Sequence, residues 1–331
     1  MSTEPDPRRR PARGLVIAAF AAVYVIWGST YLGIRFAVET LPPFLMGGAR
    51  FLIAGLTLYT VLRWRGMPAP AKSTWGNAAL AAALLLGIGN GGVNWAEQKV
   101  SSGMTALIIA GTPVWFALFD WLRPGGTRPP LQTVLGIAVG FAGVVFLVGS
   151  RPATGHAGIN PAGVAALVVA SIAWAVGSLY TKYTAKPGSV LMAAAQQMLA
   201  GGAILALMGM TLGELATFDW AKVSPRSAAA FVYLTFVGSL VGFTSYAWLL
   251  KATTPARAST YAYVNPVIAL FLGWAVGGES INASVLMAAA VIVLGVVVIT
   301  TRSTPPQKPI ATGPLSGLGA ATSTPTRTFR R

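Results

Sequence analysis

Long stretches without a charged side chain recur along this chain. Nine of them run for 20 residues or more, if His156 is set aside, and a tenth is similar but contains Glu39 and Arg50. Because about 20 apolar residues cross a hydrocarbon core about 30 Å thick, we predict an all-α integral membrane protein with ten transmembrane helices. The predicted spans are 14–35, 43–63, 75–95, 101–122, 130–149, 160–181, 188–212, 227–250, 256–277 and 281–300.

Two other interpretations of this pattern are weaker. Buried helices of a large soluble protein keep a polar face, and these stretches have none. The first stretch follows Arg8, Arg9 and Arg10 as a signal peptide would. Its apolar run is too long for that, however, and it continues without a small-residue cleavage site. We therefore expect an uncleaved helix.

Composition supports a membrane protein and gives it an orientation. The chain is 54% hydrophobic and only 10% charged, whereas soluble domains carry about 25% charged residues. A net charge of +16 suggests nucleic acid, an anionic membrane surface or topology signals, and the lack of cysteine excludes disulfides and thiolate metal sites. With the N-terminus inside, 18 of the 24 basic residues fall on the cytoplasmic side. This asymmetry favours topology signals, and we expect an inner (plasma) membrane protein with both termini cytoplasmic and no nucleic-acid partner.

The chain also repeats itself at an offset of about 150 residues. Gly28-Ser-Thr-Tyr31 matches Gly177-Ser-Leu-Tyr180, and similar matches continue through five successive spans to Gly143-Val-Val145 and Gly295-Val-Val297. Five is an odd number, so the second half would be inverted in the membrane, as in many secondary transporters. We predict a basic N-terminus (1–13), two five-helix repeats (14–150 and 158–301) and a disordered basic tail (302–331).

Several motifs resemble the drug/metabolite transporter superfamily, EamA type, and its YedA-like inner-membrane subgroup. In the first half these are Trp27-Gly-Ser-Thr-Tyr-Leu-Gly-Ile-Arg35 and the Gly48-Ala-Arg-Phe51 that follows Leu41-Pro-Pro-Phe44. In the second half they are Thr260-Tyr-Ala-Tyr-Val-Asn-Pro266 and Gly277-Gly-Glu279. The resemblance covers about residues 15–300. It implies ten helices in two inverted repeats, and export or exchange of small metabolites or amphipathic compounds.

One departure from the family pattern is visible. The family usually closes the fourth helix with a Gly-Glu pair, as Gly278-Glu279 closes the ninth. This chain has Asp120-Trp-Leu-Arg-Pro-Gly-Gly126 in that place instead. A role for that glutamate is therefore in doubt in the first half.

Polar side chains within the spans are the first candidates for a substrate site, because they are costly in lipid. Asn90, Asn94 and Gln98 are spaced at i, i+4 and i+8 in the third span. They would form either a cavity wall of amides or interhelical contacts beside glycines. Arg50 lies inside the second span, where it would bind a substrate carboxylate, pair with Glu39 or a carbonyl, or extend to the interface.

Aromatic residues form a second group of candidates. Trp27 and Tyr31 share one face of the first span, and Trp174 occupies a similar depth in the sixth. These residues would line a substrate cavity, including one for a cation, or serve as packing and interfacial residues. Tyr261 in the ninth span and Tyr246 in the eighth are further candidates.

Two prolines mark candidate hinges. Pro266 follows Asn265, another candidate for the cavity, and Pro113 is the corresponding residue of the first repeat. A proline removes a helical hydrogen bond, and paired broken helices are typical of a transporter's centre. We therefore interpret both as a gate or kink, against the alternative of static kinks that serve packing.

Groups that the sequence lacks exclude some functions and energy sources. Glu97, Asp120 and Glu279 lie near helix ends, so no proton relay at the membrane midplane is evident, although coupling through Glu97 stays open. There is no phosphate-binding loop, and we expect no cofactor and no metal. We predict a secondary transporter, not an enzyme, that exports or exchanges small organic metabolites, amino acids or drugs by alternating access. Its partners are a small-molecule substrate and the lipid bilayer, and homo-oligomerisation is open. A lipid-modifying membrane enzyme and a channel or scaffold are the alternatives.

Overall fold

The computed structural model describes residues 13–126, 128–129, 131–149, 160–184, 189–253 and 255–300. Every regular element in these ranges is helical. The predicted N-terminal segment and C-terminal tail lie outside the described residues, apart from Arg13. The helices are α1 (Arg13–Ala37), α2 (Pro43–Trp64), α3 (Lys72–Ala96), α4 (Ser102–Ile109), α5 (Thr112–Leu122), α6 (Leu131–Gly149), α7 (Pro161–Tyr183), α8 (Val190–Thr211), α9 (Glu214–Thr217), α10 (Pro225–Ala252), α11 (Pro255–Ala258), α12 (Tyr261–Ala275) and α13 (Ala283–Thr300).

Seven helical stretches among the described residues are long and apolar enough to cross a membrane. They are α1, α2, α3, the pair α4–α5, α7, α8 and α10, and two shorter apolar stretches cover Val264–Ala275 and Ala283–Gly295. Many large apolar side chains face outwards, among them Ile17, Val25 and Phe271, which are 68%, 60% and 59% exposed. An apolar perimeter of this kind suits a lipid environment. The prediction of ten spans stays a prediction.

Local sequence explains where several helices begin. Asn160 and Ser224 accept hydrogen bonds from the backbone N–H groups of Gly163 and Ser227, each three residues later, and each is followed by a proline. This is a favoured arrangement at a helix N-terminus, because proline lacks an N–H that would be unpaired there.

Two helices contain π-helical segments, which the sequence pattern does not reveal. They cover Ala83–Asn90 within α3 and Leu234–Phe243 within α10. Their starting positions differ by the same offset that relates the two halves of the sequence. Such segments shift the side chains that follow them around the helix and are frequent at functional sites.

Helices α2 and α8 pack against each other in opposite directions. A Cβ atom added at Gly48 would lie 2.7 Å from the backbone nitrogen of Ala206, and one at Gly202 would lie 2.7 Å from that of Leu52. As the residue number rises along α2, it falls along α8. The glycines thus let two backbones touch, as small residues do between membrane helices.

We name the two ends of the bundle by residues of α1 and α2. The Ala37 end is where α1 ends and α2 begins, and the Trp64 end is where α2 ends. The starts of α7 and α10 lie at the Ala37 end, and their last turns lie at the Trp64 end.

Candidate functional site

A cavity of about 80 Å³ lies in the centre of the bundle, between α1, α2, α3, α4, α5, α7, α10 and α12. Six of the nine predicted substrate-binding residues line it. They are Trp27, Tyr31, Arg50, Asn90, Trp174 and Tyr261. The other three, Asn94, Tyr246 and Asn265, are buried but do not line this cavity.

The aromatic candidates form one cluster with Trp27 in the middle. Its ring centroid lies 5.4 Å from that of Trp174, 4.9 Å from that of Tyr246 and 5.0 Å from that of Tyr261. Rings at such distances and tilted to one another attract each other beyond their burial. Gly242 makes room for this cluster, because a Cβ there would lie 2.6 Å from the Trp27 indole nitrogen.

Arg50 is the charged residue of the cavity wall and is only 4% exposed. Its Nη2 donates to Oδ1 of Asn90 over 3.1 Å, while Nε and Nη1 have no partner. Glu39 instead accepts three hydrogen bonds from Arg226, at 2.5, 2.6 and 3.1 Å. The alternatives of a pair with Glu39 and of extension to the interface are therefore wrong, because the guanidinium remains buried on the Phe51 ring, 4.5 Å from its centroid.

Two of the remaining polar candidates, Asn94 and Asn265, contact the backbone of a neighbouring helix. Asn94 donates to the backbone oxygen of Pro43 over 3.2 Å. The Asn265 amide lies 3.1 Å from the backbone oxygens of Tyr24 and Tyr261, and we orient it with its nitrogen towards them because an amide nitrogen can donate to both. Gln98 lies in an exposed turn, because α3 ends at Ala96. The three amides predicted to share one face therefore do not do so.

The two predicted hinges differ in form. Residues 110 and 111 separate α4 from α5, and Pro113 is the second residue of α5. Pro266 lies inside α12, which continues past it to Ala275. Thr112, beside the first break, lines the cavity and donates to the backbone oxygen of Ile109 over 2.6 Å.

The Ala37 end is held by two carboxylates whose capping role was not predicted from the sequence. Glu279 accepts from the backbone nitrogens of Ser102 and Gly103 at the start of α4, at 2.8 and 3.1 Å, and from the Ser102 hydroxyl at 2.7 Å. Glu214 accepts in the same way from the nitrogens of Phe44 and Leu45 at the start of α2, at 3.2 and 2.8 Å. Each caps a helix distant in sequence, where the helix dipole favours negative charge.

The glycine before each of these glutamates has a positive φ, 78° at Gly213 and 66° at Gly278. Glycine adopts this backbone conformation without steric cost. A Gly-Glu pair directly after an apolar helix is thus the signal that could have located both caps, although the capped helix cannot be read from it.

We expect Glu279→Ala to destabilise the protein by about 1–3 kcal/mol, because it leaves buried donors of α4 unpaired. Glu39→Ala is the matched control at the same end, since its exposed ion pair with Arg226 is worth about 0–1 kcal/mol. Thermal unfolding of both purified variants in detergent measures the difference. Equal unfolding temperatures would show that the cap contributes nothing.

A third carboxylate at the Ala37 end, Glu97, is fully buried, and neither of its carboxyl oxygens has a hydrogen-bond partner. Its backbone oxygen accepts from Nη1 of Arg35 over 2.8 Å. Thr105 is also fully buried and lies one turn before Ile109, which lines the cavity. Buried side chains thus lie between the central cavity and this end.

A second and larger cavity, of about 540 Å³, lies at the Trp64 end between α3, α7, α8 and α10. Amides and hydroxyls on its wall bond in pairs, Gln196 to Thr74 over 2.9 Å and Gln197 to Thr181 over 3.2 Å. Lys182 donates to the backbone oxygens at 250 and 253. Sequence reasoning missed this cavity, although two adjacent glutamines in an apolar span were a signal for it.

Tyr246 lies at a level between the two cavities. Its hydroxyl lies 2.6 Å from that of Ser178, and both residues are buried. On α7, Trp174 lines the central cavity and Thr181 lines the larger one. On α10, Phe243 lines the central cavity and residue 247 lines the larger one. The Ser178–Tyr246 pair lies between these positions on both helices, so we call it the partition.

Known proteins resemble the chain over most of its length. The EamA-like transporter family model matches residues 14–149 and 161–301. The "uncharacterized inner membrane transporter YedA" of Escherichia coli (strain K12) is 41% identical over 286 residues, which cover 86% of this chain and 90% of that protein. The "uncharacterized transporter YvbV" of Bacillus subtilis (strain 168) is 27% identical and covers 86% and 90%.

A solved protein crystal structure illustrates the shared fold. It superposes with a TM-score of 0.62 at 23% identity, and the match covers 87% of this chain and 97% of that one. The family match spans both halves of the sequence and includes the motifs that surround the central cavity. The chain belongs to the EamA-like transporter family of the drug/metabolite transporter superfamily.

Proposed function

We propose that this protein is a secondary transporter that exports or exchanges small organic molecules across the inner membrane by alternating access. The observation that carries the proposal is the arrangement of the two cavities. Buried side chains lie between the central cavity and the Ala37 end, and the Ser178–Tyr246 pair lies between the central cavity and the larger cavity at the Trp64 end. In a transport cycle this arrangement corresponds to the state in which substrate enters or leaves at the Trp64 end.

Helix pairing supports two inverted five-helix repeats. The sequence offset relates α1 to α7 and α3 to α10. Helix α3 packs on α7, and α10 packs on α1, so the two contacts correspond to each other under the repeat. Helix α12 with α1 and α5 with α7 form a second such pair of contacts. The antiparallel packing of α2 and α8 fits a two-fold axis in the membrane plane.

The orientation proposed from basic residues places the larger cavity on the cytoplasmic side. Arg63, Arg65, Lys72 and Lys251 lie at the Trp64 end. The protein would then be poised to accept a substrate from the cytoplasm, as an exporter must. Carriers with this plan move between two such states by rocking one repeat against the other.

Labelling single cysteines tests this proposal without a known substrate, because the chain contains no cysteine of its own. Asn77→Cys lies in the larger cavity, and Thr105→Cys is buried on the closed side of the central cavity. With an impermeant maleimide, we expect Asn77→Cys to react from the cytoplasmic side only. Thr105→Cys should react from the outer side, at the slower rate at which the Ala37 end opens.

Ile88→Cys, on the outward face of α3, is the control that should stay unlabelled in lipid. A Thr105→Cys variant that never reacts from the outer side would contradict alternating access. Reaction of Asn77→Cys from the outer side would contradict either the orientation or a closed Ala37 end, and a continuous pore would label both cysteines from both sides.

A further inference from the structure

We propose that the central cavity binds organic anions, and that the Arg50 guanidinium holds a carboxylate of the substrate while the aromatic wall contacts its apolar body. This inference deepens the proposed function, because it names the substrate class of the same cavity. It rests on the hydrogen-bonding state of the cavity wall.

The first argument is the unmet capacity of Arg50. A guanidinium carries five N–H donors and no acceptor, yet within the described residues its side chain makes one hydrogen bond, from Nη2 to Asn90. Nε and Nη1 are buried and lack an acceptor. Buried polar groups in proteins are nearly always paired, and charged ones most of all. A ligand that accepts from these two nitrogens would pair them.

The second argument is that no carboxylate of the described residues contacts Arg50. No carboxylate there lies within 4.0 Å of an Arg50 nitrogen. Glu39 is paired with Arg226, while Glu214 and Glu279 cap helices. Glu97 is buried nearby and interacts with Arg50 through space without a hydrogen bond. The cavity wall therefore carries a positive charge that no contact neutralises.

The third argument is that the other unpaired polar atom on this wall is also a donor. The indole Nε1 of Trp174 lies near the hydroxyls of Tyr246 and Tyr261 but forms no hydrogen bond of good geometry with any described residue. A wall that offers unpaired donors and a positive charge favours acceptor-rich, negatively charged ligands and disfavours cations. The rings of Trp27, Trp174 and Tyr261 supply apolar surface for the rest of the molecule.

Thermal unfolding of the full-length protein in detergent tests the inference, because a ligand that binds the native state raises the unfolding temperature. The probes are propionate, benzoate and 3-phenylpropionate, each against its neutral amide. We expect at least one carboxylate to raise the unfolding temperature saturably and its amide to leave it unchanged. If all three carboxylates fail, or if the amides act equally, the inference is overturned.

Two variants assign the effect to Arg50. Arg50→Gln should weaken binding of the active carboxylate by about tenfold or more, since it removes a charged hydrogen-bond donor. Asn90→Asp keeps Arg50 but replaces the amide that accepts from its Nη2 with a carboxylate. This built-in negative charge should abolish anion binding while the protein stays folded. Arg65→Gln removes an exposed arginine and should bind like the wild type.

If Asn90→Asp or Arg50→Gln binds the carboxylate as tightly as the wild type does, the assignment to this cavity is wrong. The binding assay needs no transport, so the two proposals can fail separately. Retained binding without alternating cysteine labelling contradicts only the transport proposal. Alternating labelling without carboxylate binding contradicts only the substrate class.

Discussion

Tyr246→Ala is expected to raise, by about tenfold or more, the rate at which a cysteine at position 171 is alkylated from the Trp64 end, since reaction of a buried group is limited by local opening. Ser171 lines the central cavity and is 2% exposed. A reagent that enters the larger cavity must pass the partition to reach it. Stopped-flow or gel-based labelling of Ser171→Cys with and without Tyr246→Ala measures the change.

The physical reason is that the partition consists of few groups. The Tyr246 ring packs against both Trp27 and Trp174, with centroids 4.9 and 5.5 Å away, and its hydroxyl hydrogen-bonds with that of Ser178. Truncation to alanine removes the ring and the hydrogen bond together. Tyr246→Phe removes only the hydroxyl and should therefore raise the labelling rate much less.

Controls separate opening of the partition from general loosening. Truncating a large buried aromatic side chain such as Tyr246 costs about 3–5 kcal/mol of stability. Phe271→Ala, on the exposed face of α12, removes an aromatic ring without this cost and gives a baseline labelling rate only. The sharper control is Asn77→Cys, which already lies in the larger cavity and should label at the same rate in both backgrounds. If Tyr246→Ala leaves the Ser171→Cys rate unchanged, the two cavities are separated by something other than Tyr246.

The sequence predicted the positions of the helices well, because charges and prolines mark their ends. The predicted span 43–63 corresponds to Pro43–Trp64, and 160–181 corresponds to Pro161–Tyr183. Both helices start at a proline. Candidates that face the cavity, such as Trp27 and Trp174, could be predicted for a similar reason, because the position of a residue along a helix fixes its depth in the bundle.

Rotation about the helix axis was harder to predict than depth. The π-helical segment that ends at Asn90 changes the side-chain register of α3, so Asn90 lines the cavity whereas Asn94 contacts α2. This part of α3 has apolar residues on all of its faces, so the hydrophobic periodicity of the sequence does not reveal a π-helical segment.

The helix that each long-range cap contacts could not be predicted from the sequence. Glu214 bonds to residues about 170 positions earlier, and Glu279 to residues about 177 positions earlier. Which helix start lies beside each carboxylate is decided by the packing of the whole bundle. The local sequence shows only that a glycine turn precedes each one.

The interface of α2 with α8 leads to the second large effect. Gly48→Val is expected to destabilise the protein by about 3 kcal/mol, the upper part of the usual range for overpacking, or to prevent its accumulation. Even a Cβ atom at position 48 would lie 2.7 Å from the backbone nitrogen of Ala206. Backbone cannot turn aside as a side chain can, so the two helices would have to separate. Thermal unfolding in detergent and the amount of folded protein in membranes measure the effect.

Gly76→Val is the matched control, because Gly76 lies in helix α3 with no atom within 4 Å of an added Cβ. Valine has a higher helix propensity than glycine, so this variant should be neutral or slightly more stable. Adding Ala206→Gly to Gly48→Val removes only the side chain of the opposing residue and should not restore stability. Full recovery in that double variant would mean that a methyl group, and not backbone contact, sets the spacing of the two helices.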